Sequence, residues 1–527
     1  MTDTAPAWLT PLMLIPVAGA LVIALLPRYR DLLVKQVALG TSLITLVLTV
    51  VMCADFSTAE DAQRFQFGQS YDWIKSFGVH YAVGVDGIAL VLIALVAVLV
   101  PVVLLASWDD VESLDETGPD APVASRKNVK SFFALLLVLE SMMLGVFAAT
   151  DVFLFYVFFE SMLIPMYFLI GAYGGPRRSY AAVKFLLYSL FGGLLMLAAV
   201  IGLYVQSTKA GAGTFSFEAL THLHMSHFTQ GWLFLGFFIA FAIKAPLFPF
   251  HTWLPDAGAE APTGSAILLV GVLDKVGTFG FLRYCLPLFP WAAHEFAPYV
   301  IALSVIGVLY GALLAMGQKD LKRLVSYTSV AHFGFIGMGC FAFTTQAGTG
   351  AVLYMVNHGL STGALFMVLG FLINRGKTRL MGDYSGIAKV APTLAALFFV
   401  SGLSSLALPG LSTFISEFLV LVGTYTRYRV AAIFATTGIV LAALYILLAY
   451  QRTMQGKLSA AHETMKDLRG REVAALAPLI ALMIVLGFYP KPVTDIINPA
   501  VTATMQDVGA TDPAPTDLAH NAATESK

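Results

Sequence analysis

Charge is what this 527-residue sequence has least of: Asp, Glu, Lys and Arg together make up 12% of it, against 58% hydrophobic residues. With a mean hydropathy of +0.79, polar residues are too few to clothe a water-soluble chain of this length, and apolar segments of about 20 residues are expected. A formal net charge of −1 argues against a nucleic-acid partner and against a polybasic membrane anchor. Cysteine is almost as scarce. Cys53, Cys285 and Cys340 form no C-x-x-C, no C-x-x-C-H and no even framework, which argues against disulfides, iron–sulfur ligation and c-type haem. The opening "MTDTAPAWLT" lacks a basic n-region, and the apolar run after it lacks a small-residue cleavage site. That run is therefore expected to be a retained helix and not a signal peptide.

What the sequence does have is apolar runs long enough to cross a bilayer of about 30 Å. They fall near residues 7–27, 34–54, 85–107, 131–149, 151–171, 179–204, 231–250, 262–286, 295–317, 320–344, 348–374, 393–426, 430–450 and 473–490. The expectation is an all-α polytopic membrane protein of about fourteen transmembrane helices. Short cytoplasmic loops should hold the excess of Lys and Arg. Placing the N-terminus outside assigns Arg28, Arg30, Lys35, Arg126, Lys127, Lys130, Arg177, Arg178, Lys319, Lys322, Arg323, Arg375, Lys377, Arg379, Lys389, Arg452, Lys457, Lys466, Arg469 and Arg471 to the cytoplasm. The outside then receives only Arg64, Lys75, Lys209, Arg283, Arg427, Arg429, Lys491 and Lys527, and Lys184, Lys244 and Lys275 remain inside spans. Both termini are thus expected outside. The tail from Pro499, rich in Ala, Asp, Thr and Pro, reads as disordered.

A repeat is visible in the spacing. The fourth run begins near 131 and the ninth near 295, and the prolines that interrupt the seventh and twelfth, Pro246 and Pro409, are separated by the same offset to within a residue. The expected organisation is helices 1–3 with their loops over 1–130, a first five-helix unit over 131–290, a second over 291–450, a loop and last helix over 451–490, and a polar tail over 491–527. Because five is odd, the second unit must lie inverted. A pair of interrupted helices at matching positions of inverted repeats points to an ion or substrate path. Each proline removes one N–H and frees the carbonyl four residues back, here those of Ala242, Ala245 and Ser405, and lipid offers those groups no partner.

Ionisable residues lie in the middle of the runs: Glu140, Glu160, Asp274, Lys275, His332 and His358, with Lys244 beside Pro246 and Glu417 eight residues beyond Pro409. A charge at a helix centre costs about 2.5–3.5 kcal/mol, so the six carboxylates and lysines would cost roughly 15–20 kcal/mol if all stayed charged and unpaired. They must be paired, hydrated or neutralised. Burial disfavours a charged lysine and a nearby carboxylate favours it, so a movable partner switches a lysine between holding and releasing a proton. Glu160 and Lys244 suit such a pair, and histidines, with an unperturbed pKa near 6.5, suit the passage onward to Glu417. Static ion pairs that merely lock helices together are the competing reading. Other motifs carry less. "GFLINRGKT" has glycines six apart where a phosphate-binding loop needs five, and it follows a membrane run and not a strand. "HLHMSH" (His222, His224, His227) lacks a fourth metal ligand, His332 and His358 form a haem-like pair without other haem signals, and "DDVESLDETGPD" over 109–120 reads as a solvated acidic loop.

The segments "KAPLFPFHTWLPDAGAEAPT", "QKDLKRLVSYTSVAHFGFIGMG", "MVNHGLSTGALFMVLG" and "GLSTFISEFLVL" resemble the antiporter-like membrane subunits of respiratory complex I over roughly residues 85–450. "SVAH", with His332 where the sister L and N subunits typically carry Gln, and "FFESMLIPMYFLIGAYGG" favour the branch of subunit M, the counterpart of mitochondrial subunit 4. The resemblance implies a chain without cofactor in a bacterial plasma membrane, beside L-type and N-type subunits, in a complex whose FMN, iron–sulfur clusters, NADH and quinone are handled by other subunits. It implies Glu160 and Lys244 as a modulating ion pair, Lys275 as central proton carrier, His332 and His358 as lateral relay and Glu417 as terminal residue, with Glu140 a further member. Gly258 stands where the family commonly has His, and Ser412, Thr413 and Ser416 replace a small-residue pattern before Glu417. The alternatives are a subunit of a multisubunit cation/proton antiporter and a membrane scaffold.

Overall fold

The computed structural model describes residues 7–27, 30–59, 61–110, 128–211 and 213–513. Apolar runs in lipid must satisfy their own backbone, and helices do so within one segment. Leu9–Leu25 (α1) and Asp31–Asp55 (α2) are followed by an antiparallel hairpin, Gln66–Ile74 (β1) and Val79–Val85 (β2). Then come Gly87–Ala106 (α3), Val129–Ala148 (α4), Val152–Tyr173 (α5) and Arg178–Ala210 (α6). A broken pair, His227–Lys244 (α7) and Leu254–Glu260 (α8), leads into Thr263–Leu288 (α9). Pro290–Met316 (α10), Leu321–Phe341 (α11) and Thr345–Gly376 (α12) precede a second broken pair, Pro392–Ser405 (α13) and Ser412–Tyr425 (α14). Arg429–Met454 (α15), Gly470–Phe488 (α16) and Lys491–Asp507 (α17) complete the described chain. Eleven of these helices are long and apolar enough to cross a membrane, and α1, α13 and α14 are shorter apolar helices.

The interior is built from α9, α11 and α12, whose most apolar stretches are 100%, 94% and 94% buried, whereas those of α2 and α15 are only 28% and 33% buried. The rim helices present Leu21, Val47, Phe191, Val440 and similar side chains outward, the surface that lipid requires. Interior backbones approach closely: a Cβ on Gly277 of α9 would lie 2.4 Å from the Phe241 carbonyl oxygen of α7, so only glycine lets these two helices touch. Side-chain caps close several helix starts. Asp151 accepts from the N–H groups of Phe153 and Leu154 at the head of α5, and Asp320 accepts from Lys322 and Arg323 at the head of α11.

Three expectations are corrected. The hairpin β1–β2 occupies a stretch read as loop in an all-helical chain. The tail is helical well past Pro499: α17 runs to Asp507 because Ile497, Ala500, Val501, Thr504 and Met505 form one buried face, and Arg64 holds its end through Asp507 at 2.5 Å. Arg283, assigned to the outside, lies within α9, 3% exposed, in an ion pair of 2.6 Å with Asp86, the N-cap of α3. Of the acidic stretch 109–120, only Asp109 and Asp110 belong to the described residues. The tail beyond 513 also lies outside them.

Candidate functional site

α7 stops two residues before Pro246 and α13 four residues before Pro409. Of the carbonyls expected to be freed, that of Ala242 is taken by Leu247 N–H at 2.9 Å, a wider turn that repairs the ladder without solvent. The neighbouring carbonyl of Ile243 accepts from Trp253 Nε1 at 2.8 Å. Lys244 is the last residue of α7 and is buried, and its ammonium has no hydrogen-bond partner among the described residues. It rests on ring faces instead, 4.9 Å from the centroid of Phe159 and 5.8 Å from that of Phe185. Glu160, on α5 next to Phe159, also has a buried oxygen without a hydrogen-bond partner among the described residues. A Cβ on Gly193 of α6 would lie 1.7 Å from that oxygen. Glu160 and Lys244 thus share one aromatic compartment without a closed ion pair. Glu140, fully buried on α4, has neither carboxylate oxygen bonded to a described residue.

Lys275 is held far more tightly. A π-helical turn at Leu269–Leu273 widens α9 and leaves the Val270 carbonyl free to accept from its ammonium. Asp274 Oδ1 is 3.0 Å from Lys275 Nζ, His358 Nδ1 is 2.6 Å away, and the Phe333 ring centroid is 5.1 Å away. From His358 the chain of contacts continues. Its ring centroid is 5.2 Å from that of His332, which is 5.9 Å from that of Tyr354. Tyr354 Oη donates to Glu417 Oε2 at 2.7 Å. Asn357, between the two ends of this series, donates to the Ser412 carbonyl at 2.7 Å and lies 3.2 Å from Ser416 Oγ. The serines that depart from the family pattern before Glu417 therefore tie α14 to α12.

The structure links Lys275, His358, His332 and, through Tyr354, Glu417, and sets Glu160 and Lys244, remote in sequence, near each other at Phe159 without an ion pair between them. Tyr354 and Asp274 were not singled out as site residues. The signal for Tyr354 was its spacing: four residues before His358, it lies on the same helical face. A second ionic cluster was also missed. Asp256 of α8 gathers Lys184 at 2.7 Å, Arg323 at 2.5 Å and Arg177 at 3.5 Å. Glu260 pairs with Arg379 at 3.1 Å, and Arg379 reaches Asp320 at 3.3 Å. These groups join α8 to α6, α11 and the loop after α12. Among the described residues, no group of three or more His, Cys, Asp or Glu could hold a metal ion.

A membrane-embedded helical fold with one file of titratable side chains across its interior defines a class of ion-translocating membrane subunits. The model of the family described as "NADH:quinone oxidoreductase/Mrp antiporter, TM" matches residues 149–442. The chain is 51% identical to the NADH-quinone oxidoreductase subunit M of Mycobacterium tuberculosis (strain H37Rv) over 97% of its own length and 96% of that protein. It is 36% identical to the NADH-ubiquinone oxidoreductase chain 4 of Arabidopsis thaliana over 94% of its length and 97% of that chain. A chain of the respiratory complex I from Thermus thermophilus superposes with a TM-score of 0.84 at 31% identity, covering 95% of this chain and 100% of that one. The chain belongs to the NADH:quinone oxidoreductase/Mrp antiporter family of membrane subunits, on its subunit M side.

Proposed function

We propose that the chain is a proton-translocating membrane subunit of a bacterial NADH:quinone oxidoreductase, and that protons cross it along Lys244, Lys275, His358, His332, Tyr354 and Glu417. One observation carries the route: the contact series from Lys275 to Glu417 through His358, His332 and Tyr354. An imidazole passes a proton by accepting at one nitrogen and releasing from the other. Lys275 meets His358 at Nδ1, while Nε2 has no hydrogen-bond partner among the described residues, which leaves it available for that release. Glu160 acts at the other end. When its carboxylate approaches Lys244 the ammonium is favoured, and when it withdraws the proton moves on to Lys275. Glu140 is a further buried carboxylate of the same axis.

The finer organisation follows. The long helices, together with α1 and the two broken helices, make fourteen crossings, with both termini outside. Residues 131–290 and 291–450 are two inverted copies of one unit. Two features support the copies: the equivalent aspartate caps at Asp151 and Asp320, and the isolated β-bridges those same residues make with Ser216 and Leu380. The chain carries no cofactor. FMN, iron–sulfur chemistry, NADH and quinone belong to other subunits, and L-type and N-type membrane subunits are its neighbours.

The test is Lys244→Ala and Glu417→Gln in the assembled complex, with quinone-linked NADH turnover and proton pumping read together. Both are expected to fall at least tenfold while assembly persists. Wild-type turnover and pumping in both variants would make these charges structural.

A further inference from the structure

Asp274 is fully buried, and the proton route from Lys244 to Glu417 assigns it no task. In a regular α-helix consecutive side chains do not face each other. Asp274 Oδ1 and Lys275 Nζ nevertheless meet at 3.0 Å, at the residue where the π-helical turn of α9 ends. Among the described residues Lys275 is the one cation paired with Asp274, and Asp274 Oδ2 has no hydrogen-bond partner. The other titratable groups at hand are few. His358 on α12 touches Lys275, and His332 on α11 touches His358. Lys244 at the end of α7 and Glu140 on α4 belong to helices packed against the same part of α9, but neither side chain is bonded to Asp274 or Lys275. α3, which also packs here, has no charged residue from Gly87 to Ala106.

Around Lys275 Nζ stand three acceptors: the Val270 carbonyl, Asp274 Oδ1 and His358 Nδ1. An ammonium has three N–H donors and no acceptor, whereas a neutral amine has one donor fewer. The set therefore fits a protonated Lys275 beside a neutral His358 whose own hydrogen is on Nε2. One positive and one negative charge then cancel in a compartment where Asp274, Lys275 and His358 are all fully buried. Without the carboxylate, Lys275 would be a lone buried cation, which burial strongly disfavours.

Resting on the proposed function, we infer that Asp274 is a positioning residue that keeps Lys275 loaded with one proton at rest, so that the axis works by displacement. A proton arriving from Lys244 enters Lys275 only as the resident one leaves for His358. The Nζ–H bond breaks as the Nδ1–H bond forms, His358 releases its Nε2 hydrogen towards His332, and the neutral amine takes the incoming proton. Throughout, the Asp274 carboxylate balances whichever of Lys275 and His358 carries the charge. A second proton held on this cluster would have no counter-charge, so protons pass and are not stored.

The experiment uses the assembled complex in inside-out vesicles, with NADH oxidation by an artificial acceptor as the check on assembly. Quinone-linked turnover and proton uptake are followed across pH for wild type, Asp274→Asn, Asp274→Glu, Lys275→Ala and the double variant Asp274→Asn with Lys275→Ala. Asp274→Asn keeps the shape and removes the charge. Its turnover is expected to fail first at high pH: the alkaline limb of the profile moves down by about one pH unit, a tenfold weaker hold on the proton, and rates recover towards wild type at the acid end. Asp274→Glu should keep the limb in place and stay within twofold of wild type. The double variant should be no slower than Lys275→Ala alone, as for two residues acting through one site. An Asp274→Asn profile that coincides with wild type, or lies lower by the same factor at every pH, would overturn the inference and leave the proposed function standing, as would a double variant slower than Lys275→Ala. If Asp274→Asn does not assemble, Asp274→Glu decides: an unmoved limb at near wild-type rates upholds the role of the charge, and an equal loss at every pH refutes it. If Lys275→Ala pumps normally, the proposed function falls and this role for Asp274 with it.

Discussion

At the scale of single residues, the most consequential contact is the phenol between the histidines and the terminal carboxylate. The Tyr354 ring packs against the His332 imidazole, with centroids 5.9 Å apart, and its hydroxyl donates to Glu417; a hydrogen bond to a charged group is worth about 1.5–3 kcal/mol. Tyr354→Phe keeps the ring packing and removes only that donor, so quinone-linked turnover is expected to fall roughly tenfold while assembly and thermal stability change little. Turnover within twofold of wild type would take Tyr354 out of the route. The chemistry of the site was legible in the sequence because lipid makes every buried charge expensive: Glu160, Lys244, Lys275 and Glu417 stood out by that cost alone. Contact was not legible. Nothing in the order of residues shows that Lys275 reaches His358 while Lys244 rests on Phe159, because the difference comes from a widened turn in α9 and from aromatic neighbours on other helices. Arg283 escaped for a related reason, since its partner Asp86 is remote in the chain and only the folded bundle brings them together.

Among the helices, function depends on how closely backbones approach and how their ends are held. Gly193 of α6 leaves room for the Glu160 carboxylate. Gly193→Ala would force that carboxylate aside, and turnover is expected to drop several-fold, with Gly193→Val more severe, in a steady-state assay of assembled complex. Equal rates for glycine, alanine and valine would show that the position of Glu160 is immaterial. The start of α13 is held from a distant loop: Asp467 accepts from the N–H groups of Thr393 at 2.8 Å and Leu394 at 3.0 Å. Burial pushes the Asp467 carboxyl upward, but its bonds to backbone N–H groups of Thr393, Leu468 and Leu394 outweigh that and hold it below its ordinary value. A carboxyl depressed on folding stabilises the fold above its unfolded pKa, near 3.9, and loses that contribution as pH falls through the lower folded value. Asp467→Asn should therefore lower the unfolding temperature at neutral pH, with the difference closing below about pH 4. A difference independent of pH would contradict the charged cap. The hairpin and α17 were missed at this scale because short polar segments carry weak signals, and a proline at 499 outweighed an apolar spacing that was present in the sequence all along.

In the whole molecule, three buried helices, α9, α11 and α12, bear the middle of the titratable file, whose ends, Lys244 and Glu417, sit on α7 and α14, and a lipid-facing rim encloses them. The broad architecture followed from composition, since a chain this short of charge has little choice but to span a membrane. Which carbonyls the broken helices would expose did not follow, because the backbone repaired itself at Ala242 by a wider turn. The central claim is that protons cross through this file. Its most direct test is NADH-driven proton uptake into inside-out vesicles by complex carrying Lys275→Ala, the residue that touches both Asp274 and His358, with quinone reduction followed in the same vesicles. The account predicts an assembled complex in which uptake and quinone-linked turnover fall together at least tenfold. Proton uptake per NADH and turnover both at wild-type values would contradict it.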